Sequence, residues 1–169
     1  NQGVGAWFMA GEKGCSADEV AALVEQRNNR YAELIAERDV FLPGAVEVFS
    51  SFIGLVPMAI VTSSRAEHFQ LIHREQEITK HVEFVLWSGM YKASKPAPDP
   101  YLMALERSGA HPDEILVIED SRRGLRAAHA AGLHCWVIPS HMTAGQDVSL
   151  AERVVEHIGL LPGLIKPLL

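Results

Sequence analysis

The chain has 169 residues, of which 48% are hydrophobic and 21% charged, and its formal net charge is -6. That size and composition suit one globular core with a small appendage. The acidic balance argues against a nucleic-acid partner, and no apolar run reaches the length that spans a bilayer, so no membrane partner is expected.

Residues 1–14 are glycine-rich around an apolar patch at 6–10 and read as a loop with a short helical piece. Ser16 and Glu19 form a capping-box pattern, which starts a helix. Val20, Leu23, Val24, Tyr31, Leu34 and Ile35 then recur at helical spacing, opposite Glu25, Arg27, Arg30, Glu33 and Glu37. Pro43-Gly44 closes the connection, and residues 45–52 read as a second helix. Residues 1–42 therefore form a small helical module ahead of a core at 43–169.

In that core apolar runs and helical patterns alternate. Strands are predicted at 57–61, 82–86, 115–118 and 135–138, and helices at 66–77, 99–108, from Ser121 to Gly132, and at 150–158. Such alternation predicts a parallel sheet with helices on both faces. Cys15 and Cys135 stand alone, without metal-ligand or redox spacing, which suits a reduced, cytoplasmic setting. The eight histidines are scattered without a metal-binding pair, and Trp7, Trp87 and Trp136 lack a basic stripe, so packing and solvent-facing roles are expected for all of them.

Three strand ends carry residues suited to chemistry on an anion. Thr62, Ser63 and Ser64 offer hydroxyl and N–H groups where a strand turns into a helix, either to bind phosphate or as a helix-capping cluster. Lys95 lies in the loop Lys95-Pro-Ala-Pro-Asp-Pro100, and the following proline restricts its backbone. Glu119 and Asp120 end a strand side by side and repel each other unless a cation or a donor lies between them. They read either as a Mg2+ site or as an acidic turn capping the helix that Ser121 begins.

Together, Thr62 after a strand, KPAPDPYLMAL and VIEDSRRGLRAAHAAG resemble the second, third and fourth motifs of the haloacid dehalogenase (HAD) superfamily. The similarity is strongest to its β-phosphoglucomutase and phosphoglycolate-phosphatase branch. It implies a Rossmann-like α/β fold, a parallel sheet bearing a small helical cap. It also implies Mg2+-dependent phosphoryl transfer on a small phosphorylated metabolite, by a phosphatase or else a sugar-phosphate mutase. By this resemblance Thr62 hydrogen-bonds the phosphoryl group and Lys95 stabilises its charge. Asp120 ligates Mg2+, Glu119 supports the metal shell, and Ser63, Ser64 and Arg65 line the phosphate or leaving-group side.

The superfamily's first motif, DxDGT, which supplies the nucleophilic aspartate and the acid–base aspartate, is absent from the 169 residues. Asp18, Asp39, Asp113 and Asp147 lack the strand context that motif needs. By family topology the missing strand would lie between those ending at Thr62 and Asp120, and its loss would leave two open strand edges. The chain is therefore expected to be a fragment of a longer protein. A non-catalytic binding module with the same fold is the alternative.

Overall fold

The structure, a computed structural model, describes residues 10–37, 40–75 and 77–169. The readings made for residues 1–9, including Trp7, and for Asp39 lie outside them. The chain divides into two compact units, Asn1–Val40 and Phe41–Leu169.

In the first unit, helix α1 (Ala17–Ala36) begins on the expected capping box. The Ser16 hydroxyl accepts from the Glu19 N–H at 3.3 Å, and the Glu19 carboxylate accepts from the Ser16 N–H at 2.8 Å. Of the six apolar residues predicted to form its packing face, Ile35 alone is fully buried, while Leu23 and Tyr31 are exposed.

The second unit contains α2 (Ala45–Ser50), β1 (Ala59–Val61), α3 (Ala66–Ile72), β2 (Phe84–Leu86), α4 (Asp99–Ser108) and β3 (Leu116–Glu119). It continues with α5 (Arg122–Ala130), β4 (His134–Val137), β5 (Arg153–Val154) and α6 (Leu161–Ile165). Every strand pairing is parallel, β1 with β2 and, in a separate sheet, β3 with β4 and β4 with β5. Among the described residues no strand joins β1 to β3, so each keeps one unpaired edge.

Strand alternation sorts the core into two layers, because successive side chains point to opposite faces. Val117, Cys135 and Val137 pack with Tyr101 of α4 and with Leu125, Ala127 and Ala128 of α5. Leu116, Trp136 and Ile138 pack on the other face with Val48 of α2, Phe52, Val155 and Leu161 of α6. Burial pushes the Cys135 thiol up to about 12, so it serves as apolar filling rather than as a nucleophile.

Two expectations are corrected. The helix predicted at 66–77 stops at Ile72, and the chain resumes in a 3-10 turn, Glu77–His81. Continued as one helix, buried Ile78 would fall half a turn away from buried Phe69, so the chain must change direction to bury both. The helix predicted at 150–158 is instead strand β5, followed by a 3-10 turn at Ile158–Leu160 and then α6. Adjacent Val154 and Val155 suit a pleated strand, with Val155 buried and Val154 exposed. The apolar tail after them forms α6, which covers the second layer. Leu161→Ala should cost about 2–4 kcal/mol, the range for emptying a buried leucine site, and a urea titration measures it.

Candidate active site

β1 and β3 deliver their C-terminal residues to the same end of the unit. Glu119 and Asp120 are consecutive but diverge, since Glu119 shares the parity of Val117 and so turns toward α4 and α5. Its carboxylate is 9% exposed as a residue and accepts from four donors. Lys95 Nζ lies 2.6 Å and the Tyr101 hydroxyl 2.5 Å from Oε1. The Asp120 N–H and the Ser121 hydroxyl each lie 3.3 Å from Oε2. These fill the acceptor positions of a carboxylate, so Glu119 has no oxygen left for direct ligation of a cation.

Room for that carboxylate comes from Gly124. A Cβ built there would lie 1.8 Å from the Glu119 carboxyl carbon. The glycine sits in the first turn of α5, capped as expected by Ser121, whose hydroxyl accepts from the Gly124 N–H at 3.2 Å. The helix ends at Ala130, with Ala131 as its C-cap and Gly132 following at a φ of +73°.

Lys95 is the second buried charge, at 8% exposure. Besides Glu119, its ammonium donates to the Val61 carbonyl at 3.0 Å and to the Tyr101 oxygen at 3.0 Å. It therefore spans from the open edge of β1 to the tip of β3, and no ladder bond competes for the Val61 carbonyl. Burial and the Glu119 charge hold the Tyr101 hydroxyl far above its ordinary range, so it stays protonated and donates to Glu119. At the other end of Lys95, Arg123 of α5 donates to the Lys95 carbonyl through Nε at 3.1 Å and also through Nη2.

Thr62 follows β1 directly, and its N–H donates to the Leu86 carbonyl at 2.8 Å. Its carbonyl accepts from the buried Tyr91 hydroxyl at 2.9 Å, and its own hydroxyl oxygen accepts from the Ser64 N–H at 3.1 Å. The Ser64 carbonyl accepts from the Ser88 N–H at 2.9 Å, so the loop after β2 braces the Thr62 turn. The three hydroxyl residues do not cap α3, whose N-cap is Arg65 without a side-chain bond. Ser63 is exposed beside Tyr91, and Arg65 pairs with Glu67 at 3.5 Å on the surface. The structure thus brings Lys95 and Glu119 into contact at the tip of β1 and turns Arg65 outward.

Of the two adjacent acids, Asp120 is the one without a lysine or arginine in hydrogen-bond contact. Burial, and then the neighbouring Glu119 charge, raise its pKa above the usual range. A hard cation relieves that strain, and Mg2+ accepts one or two carboxylates with phosphate and water completing the shell. Among the described residues no cluster of three histidine, cysteine or acidic side chains could hold a metal unaided. Asp120 fits as one ligand of a shell that phosphate completes.

The folded chain holds the Asp120 proton more tightly than the unfolded one, so this contribution to stability is present at low pH. It is lost as pH rises through the raised folded value. Bound Mg2+ would displace the proton, and its affinity should therefore rise with pH over the same interval and then level off. Calorimetric Mg2+ titrations across mildly acidic to neutral pH check this, and affinity falling with pH would contradict it.

Sequence reasoning did not single out Tyr91, Tyr101, Arg123 or Gly124. Gly124 left a signal, an isolated glycine inside an alanine-rich helix, which commonly marks close packing. The other three act across 29, 18 and 28 residues respectively, separations that no local pattern encodes.

Residues 4–132 match the family described as haloacid dehalogenase-like hydrolase. Protein CbbY of Rhodobacter capsulatus is 36% identical over 144 residues, covering 82% of this chain and 63% of its own length. Phosphoglycolate phosphatase of Escherichia coli K12 is 28% identical over 156 residues, covering 89% of this chain and 62% of its own length. The chain thus spans less than two thirds of each. Two crystal structures of CbbY from Rhodobacter sphaeroides share the fold. A mutant in complex with xylulose-(1,5)bisphosphate has a TM-score of 0.77 at 24% identity, covering 86% of this chain and 67% of that one. The complex with phosphate has a TM-score of 0.73 at 25% identity, covering 84% and 65%. Among the described residues no helix is long and apolar enough to cross a membrane.

Proposed function

The chain belongs to the haloacid dehalogenase-like hydrolases, and from that premise we propose that it forms the phosphate- and Mg2+-facing part of a phosphatase for a small phosphorylated metabolite. The observation that carries the reading is the buried Lys95, bonded at once to the Val61 carbonyl and to Glu119. Its three N–H donors are taken, so this fixed cation would act on a phosphoryl group by its charge, with little reorganisation. A phosphoglycolate phosphatase relative and a fold neighbour crystallised with phosphate support the substrate class.

In this reading the Thr62 hydroxyl and the Ser63 and Ser64 groups after β1 hold the phosphoryl oxygens. Lys95 stabilises their charge, and Glu119 keeps Lys95 extended toward them. Asp120 would hold Mg2+, which screens the phosphate when bound, while Glu119 supports the shell from behind through its hydrogen bonds. Arg65, paired with Glu67 on the surface, would have to leave that partner to contact a leaving group. The nucleophilic aspartate would arrive on a strand inserted between the open edges of β1 and β3, from polypeptide outside these 169 residues. Residues 1–42 would be part of a small helical cap.

Supplying that strand is the test. An apolar segment ending in Asp-x-Asp-Gly-Thr is joined to the chain, and phosphate release from a panel of phosphomonoesters is measured with Mg2+. The reading expects release that disappears when the first aspartate of the segment becomes asparagine. Insertion of the segment, seen as amide shifts at Val61 and Ile118, without release from any ester would sink it.

A further inference from the structure

We propose that Arg123 is a positioning residue that fixes the backbone of Lys95 and thereby sets how far its ammonium reaches toward the tip of β1. Both Arg123 donors, Nε at 3.1 Å and Nη2, converge on the Lys95 carbonyl, the acceptor closest to the lysine's own Cα. The opposite end of the same residue is fixed by Val61, Tyr101 and Glu119. Lys95 is therefore held at its carbonyl and at its ammonium, with the side chain stretched between.

The location of Arg123 points the same way. It occupies the first turn of α5, where no acidic residue is present and a cation opposes the helix dipole. A guanidinium there is locally unfavourable, and the paired bonds to Lys95 offset that cost. Its neighbour Gly124 opens the space for the Glu119 carboxylate. One helical turn thus sets both members of the buried pair, the acid through a missing Cβ and the lysine through its carbonyl. Arg123 is otherwise exposed as a residue, and besides the grip its charge also acts on the Tyr91 hydroxyl.

The consequence for phosphate rests on the function proposed above, whereas the grip on Lys95 does not, and the experiment separates them. Proton exchange of the Lys95 ammonium is followed by NMR in the full chain with labelled lysine, the resonance being assigned by its loss in Lys95→Arg. Arg123→Gln should speed that exchange about ten- to a hundredfold, the size expected when a hydrogen bond to a charged group is lost. Arg123→Lys, which keeps one donor, should recover part of the protection, and Arg126→Gln on the same helix should leave exchange as in the wild type. The amide of Val137 in the core reports global opening. Unchanged ammonium exchange in Arg123→Gln, or equal acceleration at Val137, overturns the proposal. Binding of inorganic phosphate is read in the same samples from its 31P linewidth. A wild-type chain with a protected ammonium but no phosphate binding would overturn the functional reading and leave the Arg123 grip standing.

Discussion

Replacing Gly124 by alanine is expected to destabilise the chain by about 3–5 kcal/mol, the cost of leaving one partner of a buried ion pair without the other. The sign is what makes the experiment informative. In an exposed helix interior, glycine to alanine gains about 1 kcal/mol from propensity alone. Here the new Cβ would stand 1.8 Å from the Glu119 carboxyl carbon, inside any allowed contact. The backbone of α5 cannot withdraw, because Leu125, Ala127 and Ala128 lock it against β3 and β4. The carboxylate must leave instead, and it abandons the buried Lys95 and Tyr101. Gly163→Ala is the control, since nothing lies within 4 Å of its Cβ position in α6. For a chain of this size the Gly124 change should lower the melting temperature by roughly 10 °C, while the control stays level or rises.

The second large effect belongs to the ion pair itself. Lys95→Met should also cost about 3–5 kcal/mol, because Glu119 then stays buried with the Tyr101, Asp120 and Ser121 donors but without its cation. Glu119→Gln should cost a similar amount, since it leaves the buried Lys95 ammonium without a counter-charge and sets an amide NH2 against the Asp120 N–H. The double variant Lys95→Met/Glu119→Gln should recover roughly 1–3 kcal/mol of the summed losses, the coupling range for residues in contact. Chemical denaturation of the four proteins gives the cycle. Additive losses would mean that the pair contributes through packing and not through charge.

Much of this arrangement was legible in the sequence, and the parts that were not share a cause. Ser16 with Glu19, Ser121 before α5, and the helix Asp99–Ser108 are local signals, and the structure repeats them. The parallel order of strands was readable from the alternation of apolar runs and helical faces. The tail was misread because residues 150–158 carry apolar positions that suit a helix as well as a strand, and only the open flank of β4 decides for a strand. By residue chemistry alone Glu119 and Asp120 are equivalent, and within the sequence only the family resemblance gives them different roles. Strand parity separates them, turning Glu119 onto four donors and leaving Asp120 with a raised pKa. Tyr101 does not stand out in KPAPDPYLMAL, since its hydroxyl finds a partner 18 positions away.

The measurement that tests the account most directly is binding of inorganic phosphate to this chain with and without Mg2+, read from the 31P linewidth and compared with Asp120→Asn and Lys95→Met. The account predicts saturable binding that Mg2+ strengthens, a loss of the Mg2+ effect in Asp120→Asn, and weaker binding with or without Mg2+ in Lys95→Met. Phosphate that fails to bind, or that binds equally to all three proteins whatever the Mg2+ concentration, would contradict a phosphate and metal site at the tips of β1 and β3.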